Sequence, residues 1–351
     1  MNKIKLIDQY LSDLIFTLLL PLHSKVIRNK KLKSLFISIS NKTYSNTEDR
    51  TSIHFNLLSQ AESEYKFYSI KVSKFIPSFF YSIRLVFLMC NYECKILLFD
   101  YNPKTRFPNL ILVKKLVNNL PVICFWLETF DESTSPIRIL PTLNIIDFHI
   151  VTDDPGLRIK GYAKCKEFAD RFYYFPLPII PEKMFYNYSS IEKKYDLCFY
   201  GNVENSIHRS ERKKILEFLT SESLYVHGFS SEGRHDEGRP SYDEMLNGLR
   251  ESRIGLNFSN HGQVGAVTNR VVEIIASGTV LLSSSEEVLK ELIRPNKEYV
   301  CFMDERDLME KIKNLLENET GLREISEAAS KSISSRYSAE KFIYFIESLV
   351  D

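Results

Sequence analysis

Arg270 and Glu273 stand out because they carry charge on a helix that is otherwise apolar. The stretch TNRVVEIIASGTVLL, residues 268–282, has the pattern of a short buried helix that is closed by Gly278 and followed by a buried strand. Residues three apart share a helix face, so the two charges lie side by side. A guanidinium offers hydrogen bonds to an anion, and a carboxylate accepts them from donor groups. The pair is therefore a candidate ligand site, and an intrahelical salt bridge at the surface is the alternative.

A second candidate group follows the predicted strand at residues 195–200. Gly201 and Asn202 come directly after this strand, and Arg209 lies at the start of the next helix. A glycine lets the backbone approach a phosphate, and a helix amino terminus offers free N–H groups. Because ligands of parallel sheets bind beyond the carboxyl ends of the strands, this loop is a candidate phosphate contact. The alternative is a solvated helix start, with Arg209 near Glu211.

The elements that must position these residues are short apolar strands that alternate with longer helical stretches such as LRIKGYAKCKEFA. The segments rich in Ile, Val, Phe and Tyr, which predict strands, are KSLFISIS, KFYSIKV, CKILLFDY, PVICFWLE, DFHIVTDD, RFYYFPLP, YDLCFYGN, LYVHGF, RIGLNFS, TVLLSS and EYVCFM. Strands that are buried on both faces and joined by crossover helices predict parallel, doubly wound sheets of the α/β class.

One break in this alternation divides the chain. Residues 177–194 combine prolines with a polar, charged tail and predict a linker. A Rossmann-like domain is predicted on each side of it, at residues 33–176 and 195–337. Residues 1–32 predict an amphipathic helix, and residues 338–351 predict a final helix.

Composition limits the classes of function. The chain has 351 residues, which favours two domains, and its 44% hydrophobic and 26% charged residues are typical of globular proteins. Its 46 basic and 45 acidic residues give a net charge of +1, so no overall field draws it to nucleic acid, and no nucleic-acid partner is expected. The six cysteines form no C-x-x-C pair, which predicts buried thiols in a reducing compartment rather than disulfides or a zinc site.

The amino-terminal segment has an apolar helical face followed by basic residues. Its apolar run, Leu14 to Leu22, is far shorter than the roughly 20 residues that span a bilayer, and Asp8 and Asp13 interrupt any signal-peptide core. We therefore expect a cytoplasmic protein. Residues 4–33 could contact the inner face of an anionic membrane, and the alternative is a packing helix with a solvated basic turn. The basic residues are Lys25, Arg28, Lys30, Lys31 and Lys33.

The order of motifs after the linker is specific. The phrases YDLCFYGN, YVHGF and SYDEMLNGLRESRIGLNFS are followed by TNRVVEIIASGTVLLSSSEEVLKELIRPNKEYVCFMDERDLMEKI. From Tyr195 to about Tyr344 the chain resembles the carboxyl-terminal domain of GT-B glycosyltransferases, specifically the "glycosyl transferases group 1" type with CgeB-like members. The resemblance implies the GT-B fold, which has two tandem Rossmann-like domains facing a central cleft and a final helix that crosses back to the first domain.

The resemblance also implies roles for the charged pair. Glu273 would accept hydrogen bonds from the ribose hydroxyls of a nucleotide-sugar donor, and Arg270 would face the donor phosphates. The chemistry agrees, because a carboxylate suits a vicinal diol and a guanidinium suits a pyrophosphate. Arg209 would be a second diphosphate contact, while core packing is the alternative for His227. The residues expected to bind the donor are Gly201, Asn202, Arg209, His227, Gly228, Thr268, Asn269, Arg270 and Glu273.

Two departures from related sequences bear on the reaction. Many retaining relatives have a second glutamate eight positions before the one that matches Glu273, but here that position is Gly265. Retention or inversion therefore stays open. The chain also has no D-x-D sequence to hold a divalent metal on a diphosphate, so we expect no metal, and no cofactor besides the nucleotide-sugar donor substrate.

Catalytic groups are expected at strand ends in the first domain. Glu128 is the first candidate for the base that activates an acceptor hydroxyl, with Asp131 and Asp100 as further candidates. The alternative is that such residues only cap the next helix. The predicted function is transfer of a sugar from a nucleotide-diphosphate donor to a glycan or lipid-linked acceptor, in surface polysaccharide assembly. A catalytically silent nucleotide-sugar-binding module and a GT-B-fold epimerase or phosphorylase are the alternatives.

Overall fold

The structure, a computed structural model, consists of two compact α/β units. One comprises residues 1–175 together with 345–351, and the other comprises residues 176–344. The parts of the chain that the structure describes are residues 10, 11, 14, 17, 18, 33–41, 55–63, 65–72, 80, 83–85, 88, 92–99, 120–126, 145–152, 163–201, 203, 207–228, 240–258, 267–284 and 289–350.

The first unit contains a six-stranded parallel sheet. Its strand order is β2-β1-β3-β4-β5-β6, and every neighbouring pair is parallel. The central strand β4 is buried along its whole length, as expected for a strand covered on both faces. The strands are β1 (Lys33–Asn41), β2 (Lys66–Val72), β3 (Tyr92–Phe99), β4 (Val122–Trp126), β5 (Phe148–Val151) and β6 (Phe172–Tyr174).

The second unit contains a five-stranded parallel sheet with the order β11-β10-β9-β7-β8. Its strands are β7 (Tyr195–Cys198), β8 (Val226–His227), β9 (Ser252–Asn257), β10 (Val280–Ser283) and β11 (Val300–Cys301). We number the helices that the structure describes in full from α1. They are α1 (Ile207–Ser221), α2 (Tyr242–Arg250), α3 (Asn269–Ala276), α4 (Glu305–Leu316), α5 (Glu319–Tyr337) and α6 (Ala339–Val350).

Helix α3 packs closely on the second sheet because a glycine lies beneath it. A Cβ atom on Gly255 of β9 would lie 2.9 Å from the side chain of Ile274. Six consecutive residues of α3, 271 to 276, are buried. Gly278 ends the helix with a φ of +67°, and its missing side chain leaves room for the backbone of Tyr186 and Asn187. The helix that carries the charged pair is therefore fixed from both sides.

The predicted strands are all present, and the α/β class with parallel sheets is confirmed. Two helix predictions need correction. The stretch read as helix at 157–169 is a 3₁₀ helix from Ala163 to Arg171 with a kink at Phe168, and residues 157–162 lie outside the described part. The sequence also predicts that a further helix starts after β10, but the structure has a short 3₁₀ turn there, Leu289–Glu291, and residues 285–288 lie outside the described part. Both sequences have apolar periodicity, which does not distinguish a full α-helix from short turns that pack on a sheet.

Three cysteines lie in the described residues as free thiols. Cys124 and Cys198 are buried, as predicted, and Cys301 is half-buried. Burial raises the pKa of the Cys198 thiol to about 11. None of the described helices has both the length and the apolar character needed to cross a bilayer.

Candidate functional site

The carboxyl ends of β9 and β10 are joined to the start of α3 by buried polar side chains. Asn257 ends β9, and its Nδ2 donates a hydrogen bond of 2.9 Å to Oγ of Ser283 at the end of β10. The hydroxyl of Thr268 donates to Oδ1 of Asn257 at 2.8 Å. Neither Asn257 nor Ser283 was predicted as a site residue. The signal was present in the sequence, since each is a polar residue that ends an otherwise apolar strand.

The N-cap residue of α3 provides no side-chain cap. Thr268 occupies the N-cap position, but its hydroxyl is directed to Asn257 and accepts no hydrogen bond from the first turn of the helix. The first turn also contains no acidic residue. A helix start with uncapped N–H groups and a positive dipole end favours a bound anion.

One turn into α3, Arg270 and Glu273 form a largely buried ion pair. Nη1 of Arg270 lies 2.8 Å from Oε2 of Glu273, and the side chains are 22% and 7% exposed. The same Nη1 atom contacts the sulfur of Met245 on α2. The two residues that the sequence predicts as a pair are therefore in contact, and the pair is largely buried rather than exposed to solvent.

The two side chains of this ion pair are close together, but some of their polar atoms lack hydrogen bonds to described residues. Nε of Arg270 and Oε2 of Glu273 are both buried, and neither has a hydrogen bond of ordinary geometry to any residue that the structure describes. The same is true of the hydroxyl of Tyr242 on α2. Buried polar atoms that lack partners are uncommon in folded proteins and are concentrated where function requires them.

The ends of β7 and β8 supply glycines and aromatic rings. Gly228 follows β8 with a φ of +78°, and a Cβ atom there would lie 2.7 Å from the ring of Tyr200. Gly201 is exposed after β7, and a Cβ atom there would meet the ring of Phe199 at 2.5 Å. Both glycines are therefore needed by the packing itself, whether or not a ligand approaches them.

His227 lies among aromatic rings at the edge of the sheet. Its ring stacks on Tyr195 with a centroid distance of 3.8 Å and meets Tyr200 edge-on at 5.9 Å. Burial lowers the pKa of His227, while the charge of Glu251 partly opposes that shift. The imidazole is therefore mainly neutral at pH 7, and it packs against the neighbouring aromatic rings.

The other predicted site residues are described less fully. Thr268 and Asn269 lie at the start of α3, and Arg209 lies in the first turn of α1, where only the backbone is described. Asn202, together with the catalytic candidates Glu128, Asp131 and Asp100, lies outside the described residues. Within the described part, no three His, Cys, Asp or Glu side chains are grouped in a way that could hold a metal ion.

A family model described as "Glycosyl transferase-like" matches residues 209–348, which is less than half of the chain but includes α3 and its charged pair. No curated protein has a significantly similar sequence.

Several solved structures share the fold across most of this chain. An α-glucosyltransferase, solved with UDP and a 13-mer DNA containing an HMU base, has a TM-score of 0.62 and 13% identity over 91% of this chain and 100% of that one. Sucrose-phosphate synthase from Thermosynechococcus elongatus has a TM-score of 0.54 and 12% identity, over 90% and 98% of the two chains. HepE from Anabaena, solved with UDP and glucose, has a TM-score of 0.54 and 9% identity, over 90% and 100%.

These likenesses establish the fold, and the family match identifies the kind of domain that contains the charged pair. The CgeB-like subtype stays a prediction. The chain therefore has the fold of the GT-B glycosyltransferases, and its residues 209–348 match a glycosyl transferase-like family model.

Proposed function

We propose that this chain is a glycosyltransferase that binds a nucleotide-diphosphate sugar at the start of α3 and transfers the sugar to a glycan or lipid-linked acceptor in surface polysaccharide assembly. The observation that carries the proposal is the uncapped amino terminus of α3 with the buried, unsaturated Arg270–Glu273 pair one turn away. A helix terminus that lacks its own cap and a charged pair that lacks hydrogen bonds both suit a polar ligand.

The two charges fit the two polar parts of a nucleoside diphosphate. The Glu273 carboxylate accepts hydrogen bonds from the ribose diol, and the Arg270 guanidinium together with the first N–H groups of α3 faces the diphosphate. When the bond from sugar to phosphate breaks, negative charge develops on the leaving diphosphate. Fixed N–H donors and an arginine stabilise that charge without having to reorganise.

Further residues are proposed to contact the nucleotide-sugar donor. We propose Arg209 as a second cation for the diphosphate, Gly201 and Asn202 as further donor contacts, and His227 and Gly228 as contacts for the base. Two of the solved proteins that share the fold are complexes with UDP, which supports a nucleotide donor for this chain as well.

The acceptor side of the reaction rests on residues of the first unit. We propose Glu128 as the base that takes the proton of the acceptor hydroxyl, with Asp131 and Asp100 as further candidates. Replacement of Glu128 by Gln should lower kcat by at least about 100-fold, which is the usual contribution of a general base, and leave the affinity for the nucleotide unchanged.

The donor site is tested by calorimetric titration of UDP, GDP, ADP and CMP into wild type and Glu273→Ala. Loss of a charged hydrogen-bond acceptor for the ribose should weaken the nucleotide that binds by roughly tenfold to a hundredfold. Glu298→Ala is a matched control, because Glu298 is a buried glutamate paired with Arg294 in the same unit. If Glu273→Ala binds as tightly as wild type, or if no nucleotide binds, the donor site is not at α3.

We also propose that transfer needs no divalent metal, since Arg270, Arg209 and the amino terminus of α3 supply positive charge to the leaving group. Donor hydrolysis and transfer should proceed at the same rate with and without EDTA. A strong loss of activity in EDTA that added Mg²⁺ or Mn²⁺ restores would contradict metal independence.

We further propose a cytoplasmic protein that contacts the inner face of the membrane through residues 4–33. Leu11, Leu14 and Leu18, at helical spacings of three and four, are 40%, 41% and 66% exposed. The basic residues at 25–33 follow directly, and an apolar face beside positive charge suits an anionic lipid surface.

Sedimentation with vesicles tests this contact. Wild type should bind vesicles containing phosphatidylglycerol and not vesicles of phosphatidylcholine alone, and Lys30→Gln/Lys31→Gln should weaken that binding. Unchanged binding of the double variant would argue against an electrostatic membrane contact, whatever the outcome of the nucleotide titrations.

A further inference from the structure

The position of Tyr242 at the start of α2 is fixed by a capping box. Ser241 and Glu244 form a capping box, in which the Ser241 hydroxyl accepts from the Glu244 N–H at 3.2 Å and Glu244 Oε2 accepts from the Ser241 N–H at 2.7 Å. This reciprocal pair fixes the first turn of α2. Tyr242 is therefore the first residue of the helix, and Met245 lies one turn further along it.

These two residues form the α2 side of the Arg270–Glu273 pair. Met245 is buried and contacts the Arg270 guanidinium. The Tyr242 hydroxyl is also buried, and no hydrogen bond of ordinary geometry satisfies it. Burial raises the pKa of Tyr242 well above its usual value, and the neighbouring charge of Glu273 raises it further. The phenol is thus protonated, with its O–H next to a carboxylate.

Arg270 by itself does not fix the orientation of the Glu273 carboxylate. Its Nη1 is close to Oε2, but it also contacts Met245, and Oε2 accepts no hydrogen bond of good geometry. A carboxylate that must present one oxygen to a ligand needs its other oxygen held by a directed donor. The Tyr242 hydroxyl is a buried O–H group next to this carboxylate, on the helix whose Met245 contacts Arg270, and it has no hydrogen bond to a described residue.

We infer that Tyr242 is a positioning residue for Glu273, donating its hydroxyl hydrogen to Oε2 so that Oε1 faces the ribose of the donor. This inference rests on the proposed donor site and adds to it a residue that the motif around Arg270 does not contain. Glu273 touches the ligand, and Tyr242 acts through Glu273. Tyr242 is also partly buried, so any structural role of its ring must be separated from the role of its hydroxyl.

Tyr242→Phe makes that separation, because it keeps the ring and removes only the hydroxyl. We expect weaker binding of UDP or GDP, whichever binds wild type, by about three- to tenfold, since the hydrogen bond that orients the carboxylate is lost. The 2′-deoxy form of the same nucleotide has one ribose hydroxyl fewer to present to Glu273. Its affinity should therefore fall less in Tyr242→Phe than that of the ribonucleotide.

A double-mutant cycle gives a second readout that a merely structural tyrosine would not change. In a Glu273→Ala background, Tyr242→Phe should cause no further loss of nucleotide affinity, because the group that it positions is gone. Tyr344→Phe is the control, since Tyr344 is 72% exposed on α6. Its affinity should match that of wild type.

Three outcomes would overturn the inference. They are equal losses for the ribonucleotide and its 2′-deoxy form, losses that add in the double variant, and wild-type affinity in Tyr242→Phe. If Glu273→Ala loses affinity while Tyr242→Phe does not, the donor site stands and only the role of Tyr242 fails. If wild type binds neither UDP nor GDP, the proposed donor and the role of Tyr242 fail together.

Discussion

At the scale of single residues, the Arg270–Glu273 ion pair is better explained by ligand binding than by a contribution to stability. Burying two charges has a large desolvation cost, and such a pair contributes to stability only when its geometry and hydrogen bonds are good. Here Oε2 and Nε lack hydrogen bonds of ordinary geometry. A pair of this kind contributes little to stability, which is why we propose that it binds a ligand.

Gly248 shows how tightly the neighbouring aromatic residues pack. A Cβ atom at this position would lie 1.8 Å from the hydroxyl oxygen of Tyr200 and 3.0 Å from Nε2 of His227. Gly248→Ala should therefore lower the free energy of unfolding by about 1–3 kcal/mol, as is usual for overpacking, in spite of the better helix propensity of alanine. Urea unfolding followed by circular dichroism measures this change.

The same contact predicts a rescue. Tyr200→Phe removes the oxygen that the new methyl group meets, so the double variant Gly248→Ala/Tyr200→Phe should be more stable than the sum of the two single changes. Additive losses would mean that the backbone of α2, rather than Tyr200, takes up the strain.

At the scale of elements, Lys193 connects the ends of α2 and α3. Its Nζ donates to the backbone oxygen of Arg250 at 2.8 Å and to that of Gly278 at 2.9 Å. Nζ also lies 4.7 Å from the centre of the Tyr188 ring. Burial lowers the pKa of Lys193 to about 8. One half-buried ammonium group thus satisfies carbonyl groups at the ends of two helices of the proposed donor site.

Lys193→Met should lower the free energy of unfolding at pH 7 by about 1–3 kcal/mol, because two carbonyl groups lose a charged donor. The adjacent residue supplies a control. Lys194 is exposed and pairs with Glu251 at the surface, so Lys194→Met should leave the unfolding midpoint unchanged. Equal midpoints for the two variants would contradict the role of Lys193 as a connector.

The pKa of Lys193 adds a dependence on pH. Its folded-state value of about 8 lies below the ordinary value of 10.5, so the unfolded chain binds more protons between these two values. The stability of wild type relative to Lys193→Met should therefore rise from pH 8 to pH 10 and stay constant below pH 7. A difference that falls with rising pH would show that burial does not depress this pKa.

At the scale of the whole molecule, α6 contributes residues to both compact units. Ala339–Tyr344 belong to the second unit and Phe345–Asp351 to the first. In the first unit the Phe345 ring lies 5.9 Å from that of Tyr173 and 5.8 Å from that of Phe175. Glu347 accepts a hydrogen bond from the Tyr65 hydroxyl. The end of the chain is therefore part of the packing of its beginning.

Phe345→Ala should destabilise the protein by about 2 kcal/mol through loss of these ring contacts. Tyr344→Ala, one position earlier on the exposed face of α6, should change stability by less than about 0.5 kcal/mol. Thermal unfolding of both variants tests this difference. Similar melting temperatures would mean that the last turns of α6 do not stabilise the first unit.

Local patterns in the sequence were sufficient for the strands and for the helices around the site. The eleven strands that the structure describes are short runs of branched and aromatic residues, which favour the extended conformation when both faces of the sheet are covered. Two 3₁₀ segments were not predicted as such: the turn at Leu289–Glu291 and the kinked helix at Ala163–Arg171. Whether such a segment forms a 3₁₀ turn or a regular α-helix depends on the residues that it packs against.

The sequence by itself determined the α/β class, the two series of strands and the placement of Arg270 and Glu273 on one face of a helix closed by Gly278. Those features depend on periods of two and 3.6 residues and on the freedom of glycine, which are local properties. Only the tertiary structure decided that the pair is buried, that Met245 and Tyr242 of α2 face it, and that Asn257 and Ser283 hold the start of α3. Contacts between residues far apart in sequence depend on how the elements pack, and no local pattern encodes them.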